Sequence, residues 1–301
     1  MNVRKIDTFS GHRDCVYALI SDQRSPIFYS AGGDGQVVRW NVTKPDLGEL
    51  VARVGASIYA LALDPQTGLL WIGHNYEGIQ VVDPVQKKIV ASIKLGALAI
   101  FDIKIQGQKA YIAQGDGILT VVDAPTFSIQ KHLKISQKSV RTLAILKTTN
   151  ELAAGFSDWC VCIFDLTTMS LKKRFQAHDN SVFSAQYSPD GTFLVTAGRD
   201  AHLKVWCVEQ NYQSIQDIPA HMFSINHITY SGNGALLATA SMDKSIKIWD
   251  ANSFKLLKVV DRARHAGHAT SINKLLWMTT ENLLVSASDD RMVSVWEFGD
   301  N

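Results

Sequence analysis

Little in this chain points to chemistry, and each absence removes a class of function. Among its 301 residues are only four cysteines, Cys15, Cys160, Cys162 and Cys207, without the spacing that gathers a metal. Cys160 and Cys162 stand two apart on a predicted strand and so face opposite ways. Reduced, partly buried thiols are the expectation, as in the cytoplasm. No run of 18 apolar residues is present, so no membrane helix is expected. The opening Met1-Asn2-Val3-Arg4-Lys5 lacks the apolar stretch of a signal peptide. Cytoplasmic localisation is therefore expected, with the nucleus open to a eukaryotic protein. Neither sign of charge dominates: 30 basic against 28 acidic residues give a net charge of +2, which makes no strong case for nucleic acid. No segment sustains a helical period. Gly32-Gly33-Asp34-Gly35 leads into no helix and is not a phosphate loop, and the lone His and Glu of His74-Asn75-Tyr76-Glu77-Gly78 make a weak acid/base site. No metal and no cofactor are expected.

What the chain does contain is a register. His12, His178, His221 and His268 are each followed at 18 residues by a hydroxyl (Ser30, Thr196, Thr239, Ser286), at 22 by Asp34, Asp200, Asp243 or Asp290, and at 28 by Trp40, Trp206, Trp249 or Trp296. The Trp place continues through Val82, Val122 and Phe164, so the full series steps by 42, 40, 42, 42, 43 and 47 residues. Repeats two to four lose the His and the Trp but keep Val82-Asp83, Val122-Asp123 and Phe164-Asp165, and Asp116 and Asp158 persist. A fixed period of this length means an array of identical supersecondary units. Seven units account for the chain, and one domain over 1–301 is expected.

Within the fifth unit, short β-rich runs are broken by Ser188-Pro189-Asp190-Gly191 and Arg199-Asp200, which reads as a four-stranded antiparallel meander. A Gly-His or Ala-His opening, an Asp six before the Trp and a closing Trp-Asp resemble the WD-repeat β-propeller family over the whole chain. That resemblance implies an all-β, seven-bladed propeller of four-stranded antiparallel blades around a channel. It implies closure by Val3 to Phe9 as outer strand of the last blade, beside Met292 to Phe298. It also implies that each His, hydroxyl, Asp and Trp form one structural hydrogen-bonded tetrad. The same trio of Ser, His and Asp suggests a hydrolase triad, but four copies tied to Trp argue for structure, and the chain is expected not to be an enzyme.

The inner strands carry apolar columns, the first running Val16, Ile58, Ile100, Val140, Val182, Ile225 and Ile272, the second Leu19, Leu61, Ile103, Leu143, Ala185, Ile228 and Leu275. Three residues separate them where one strand face requires two, so a bulge is expected in each strand. The extra place holds Tyr17, Tyr59, Phe101, Arg141, Phe183, Asn226 and Asn273. By resemblance this column rims the channel on the narrower face, and exposed rings beside Arg suit a partner surface; rings that plug the channel are the alternative. Arg199 and Met242, each preceding a turn Asp, belong to the same face. Arg141, Arg199 and the long linker Asp261 to Gly267 suggest a basic sector, and Trp159 is either an exposed anchor or a cover for blade four. The expectation is a non-enzymatic scaffold, monomeric and set in a larger complex, that binds a protein or peptide and no membrane. A reader of methylated lysine is the alternative, and an enzyme with its pocket at the channel mouth is weaker.

Overall fold

The computed structural model describes residues 1–299, side chains of 45–47 excepted. It is a closed ring of seven four-stranded antiparallel sheets. Each blade follows the chain outward; blade 1, for example, runs Val16–Ser21, Ile27–Gly32, Gln36–Asn41 and Lys44–Arg53. Blade 7 departs from this order: Ile272–Met278, Leu283–Ser288 and Val293–Gly299 are completed by the first strand of the chain, Asn2–Phe9. Phe9 pairs with Val293 and Asn2 with Gly299, so the first and last strands lie side by side. The closure expected from Val3 to Phe9 is present, and it covers the sheet edge that Val293–Gly299 would otherwise expose.

Burial follows the junctions between blades. There are seven hydrophobic clusters, each drawn chiefly from two neighbouring blades. The first apolar column contributes to them at 0–1% exposure. At the closing junction Phe9 meets Phe28 and Trp40 edge to face, with centroids 5.5 and 5.4 Å away. Stability in such a ring is a sum of blade terms and nearest-neighbour terms.

Every inner strand is bulged at the expected place. Pairing skips from Val16 to Ala18, Ile58 to Ala60, Ile100 to Asp102, Val140 to Thr142, Val182 to Ser184, Ile225 to His227 and Ile272 to Lys274. The skipped residue is the rim column in each case. One face, here called the top, carries the start of every inner strand, the loop before it and the turn between second and third strands. The linker of blade 7 departs from the all-β pattern: Arg262–His265 form a single helical turn capped by Asp261, whose carboxylate accepts the Arg264 N–H at 2.9 Å. No helix among the described residues is long and apolar enough to cross a membrane.

Candidate functional site at the channel mouth

The tetrads close as hydrogen-bonded chains in blades 1, 5, 6 and 7. His12 Nδ1 lies 3.0 Å from Asp34, its Nε2 2.7 Å from Ser30 Oγ, and Trp40 Nε1 donates to the same oxygen at 2.8 Å. The matching distances are 2.9, 2.8 and 2.9 Å for His178, Thr196 and Trp206, 2.8, 2.7 and 3.0 Å for His221, Thr239 and Trp249, and 2.9, 2.8 and 2.8 Å for His268, Ser286 and Trp296. Each Asp also accepts the N–H of the residue after the His and of the residue two beyond itself, as Asp200 does from Asp179 and His202. All four hydroxyls are 0% exposed. A nucleophile sealed from substrate and already bonded to an indole cannot act as one, so these four trios staple blades.

Where the sequence suggests exposed rings at the mouth, the rings lean on one another. Tyr17 and Tyr59 centroids are 4.9 Å apart, and Tyr59 stacks on Phe101 at 5.9 Å. The Arg141 guanidinium continues the series, 3.9 Å from the Phe101 centroid and 4.9 Å from that of Phe183. The expectation of exposed rings is thus corrected: all five side chains are half-buried, because neighbouring strands converge on a narrow axis and long side chains must share it. Burial lowers the pKa of Arg141, yet a guanidinium stays charged. The protein's own cation thus lies between Phe101 and Phe183, against one of the ring faces that a methylated ammonium would need.

Asn226 and Asn273 complete the ring as latches. Asn226 donates to Ile272 O at 2.9 Å, and Asn273 to Val16 O at 3.0 Å and Asp289 Oδ1 at 2.7 Å. The expected basic linker is partly self-neutralised, since Arg264 Nη2 pairs with Asp261 Oδ2 at 2.6 Å. Arg199 is exposed and Met242 is 54% exposed.

Sequence reasoning missed Met222 and Phe223, 82% and 60% exposed in the loop leading into blade 6. Met222 N donates to Asp243 and Met242 N to Ser224 O, so the three apolar side chains belong to one patch. Trp159, 45% exposed in a turn of blade 4, lies on the same face. Its φ of +75° is costly for so bulky a residue. Lys138, Arg199 and Lys244 are exposed around the same sector. The other residues missed lie one place beyond the rim column, below. There a polar signal, Thr142, Ser184, His227 and Lys274, with Asp102, which the sequence already suggests as an acidic neighbour of the rings, interrupts what is otherwise alanine.

A ring of seven blades, four of them stapled by a buried His–hydroxyl–indole chain, defines a repeat propeller. The family model "WD domain, G-beta repeat" matches residues 3–41, 169–207, 212–250 and 260–297, just over half of the chain, and the chain belongs to that family. The four matches end at or just beyond the four tetrad tryptophans and leave out the three degenerate repeats. The WD40 β-propeller domain of Doa1 superposes with a TM-score of 0.84 at 17% identity, covering 99% of this chain and 98% of that one, which establishes the fold alone. Among curated proteins, the mouse periodic tryptophan protein 2 homolog is 26% identical over 216 residues, covering 65% of this chain and 24% of its own length. The striatin homolog of Dictyostelium discoideum is 24% identical, with 70% of this chain and 22% of its own length covered. Subunit I of eukaryotic translation initiation factor 3 from Aspergillus fumigatus is 24% identical, with 68% and 54% covered. The chain therefore spans about a quarter to a half of the length of these relatives.

Proposed function

We propose that residues 1–301 form one non-enzymatic scaffold domain that binds an acidic protein or peptide on the top face. The observation that carries this is the exposed group of Met222, Phe223 and Met242 on blade 6, with Trp159 exposed on the same face at blade 4. Exposed apolar residues elsewhere are spread mainly along the outer strands, as Ile6, Leu50, Ile129, Leu171 and Ile215 are, and singly placed ones need no explanation. A grouped set of Met and aromatic side chains resembles an interface core. Lys138, Arg199 and Lys244 around it favour an acidic or phosphorylated partner. Tyr17, Tyr59, Phe101 and Phe183 would then offer ring edges at the border of the patch, with Arg141, Asn226 and Asn273 holding the mouth in shape. One matched relative is by name a subunit of a larger factor, and a subunit-like role in a complex suits this reading. The methylated-lysine reading is less favoured, because Arg141 already covers a face of Phe101.

Affinity capture from cells with the Met222/Phe223/Met242→Ser variant tests this. Partners held by wild type and by a Val85→Ser control on the opposite face should be lost from the triple variant. Equal partner sets for all three would overturn the assignment of the surface.

A further inference from the structure

A cavity of about 300 Å³ runs along the propeller axis, lined from all seven inner strands. Its chemistry is set by a set of latches between blades. Each inner strand is a sheet edge that turns unpaired backbone groups toward the axis, and in four of them a side chain of the preceding blade accepts one N–H. Asp102 Oδ2 takes Leu143 N at 2.8 Å, Thr142 Oγ1 takes Ala185 N at 3.2 Å, Ser184 Oγ takes Ile228 N at 3.1 Å and His227 Nδ1 takes Leu275 N at 3.3 Å. These latches use up acceptors and leave donors. With Nδ1 engaged, neutral His227 carries its proton on Nε2. The remaining carboxylate oxygen, Asp102 Oδ1, already takes Ile103 N at 2.9 Å and the Lys104 ammonium at 3.3 Å.

The series breaks at the next place, in blade 7, where Lys274 has no lone pair to offer as an ammonium. Among the described residues its Nζ has no hydrogen-bond or ion-pair partner. Lys274, Lys104 and His227 all line this one cavity. Burial, partly offset by Asp102 and reinforced by Lys104, lowers Lys274 to about 8. Two ammonium groups, an imidazole N–H and two hydroxyls thus surround a space with one carboxylate, itself fully occupied.

We infer that the channel is a binding site for a phosphate-type oxyanion, held by Lys274 and Lys104 and oriented by His227. Charge-assisted bonds in a confined, weakly screened lumen are the strong kind. The volume suits one or two phosphate groups. The phosphate belongs either to a free anion or to a phosphorylated side chain reaching in from the mouth. The site does not depend on the apolar patch, because none of its residues contributes to the lining.

The test is calorimetric titration of the full chain with inorganic pyrophosphate at constant ionic strength. A parallel arm measures retention of a phosphoserine-centred peptide library and its unphosphorylated counterpart. Pyrophosphate should bind wild type and raise its melting temperature, and Lys274→Gln should weaken binding at least about tenfold, one charge-assisted contact being worth that much. Arg262→Gln, on the exposed linker, should leave it unchanged. Lys274→Gln removes a cation whose burial is unfavourable, so it should melt no lower than wild type, which separates lost binding from lost fold. Binding by pyrophosphate alone identifies a free anion. Retention of only the phosphorylated library, lost in Lys274→Gln, identifies a side chain. The Met222/Phe223/Met242→Ser variant should keep pyrophosphate binding even where it loses partners. If neither probe binds wild type, or Lys274→Gln binds as Arg262→Gln does, the site is refuted.

Discussion

At the scale of the residue, the tetrad hydroxyl is the atom on which a blade depends. Thr196 Oγ1 meets both His178 Nε2 and Trp206 Nε1 with no access to water. Thr196→Val keeps the shape and strands two buried polar groups, which should cost about 2–4 kcal/mol in chemical denaturation. Thr196→Ser, the residue blades 1 and 7 already use, should stay within about 1 kcal/mol. The carboxylate has its own signature. Burial raises the pKa of Asp200, but the hydrogen bond and charge of His178, with the Asp179 and His202 N–H groups, outweigh it and bring it to about 2 from 3.8. A depressed folded-state pKa stabilises above the unfolded value and is lost as pH falls through the folded one. Denaturation midpoints should therefore fall between pH 4 and pH 2, with roughly 2 kcal/mol of that loss belonging to Asp200. Asp200→Asn should begin less stable and show a shallower slope.

At the scale of the blade, the three repeats without a tetrad are not equally weakened. In blade 4, Ser136 stands where the His would be and donates to Asp158 at 2.6 Å, with Arg174 at 2.8 Å. Two residues before the turn Asp, tetrad blades carry Gly32, Gly198, Ser241 and Ser288, whereas blades 2, 3 and 4 carry His74, Gln114 and Phe156 there, all buried. Large side chains take the place left by the missing His. In blade 3, Gln114 bonds Thr120, which bonds His132. Blade 2 has no such repair: Trp71 Nε1, His74 Nδ1 and Asn75 Oδ1 are buried without partners. Amide exchange should be fastest in Leu70–His74 and Gly78–Asp83, about tenfold faster than in Phe193–Gly198 and His202–Cys207, with blade 4 near the tetrad blades. Uniform rates around the ring would show that the tetrads contribute little. The blade count and the bulges were legible because each repeats a local spacing, and the closing strand followed from the family resemblance. Ser136 and Phe156 were not, because compensation is a spatial exchange between strands and leaves no periodic mark.

At the scale of the molecule, the same distinction separates what the sequence shows of the candidate site from what it hides. It places Tyr17, Tyr59, Phe101, Arg141 and Phe183 in one column, but whether such rings stand free or stack depends on how closely seven strands approach the axis. Met222 and Phe223 follow an ordinary tetrad His, and nothing local marks them as exposed. Ring closure brings these loops to one face, the proposed partner surface. A photo-crosslinking residue placed at position 223, compared with one at position 85 on the opposite face, tests it most directly in cells. Position 223 should give a discrete crosslinked protein, competed away by excess unlabelled propeller, and position 85 none. Crosslinks from position 85 alone, or the same products from both, would contradict this assignment.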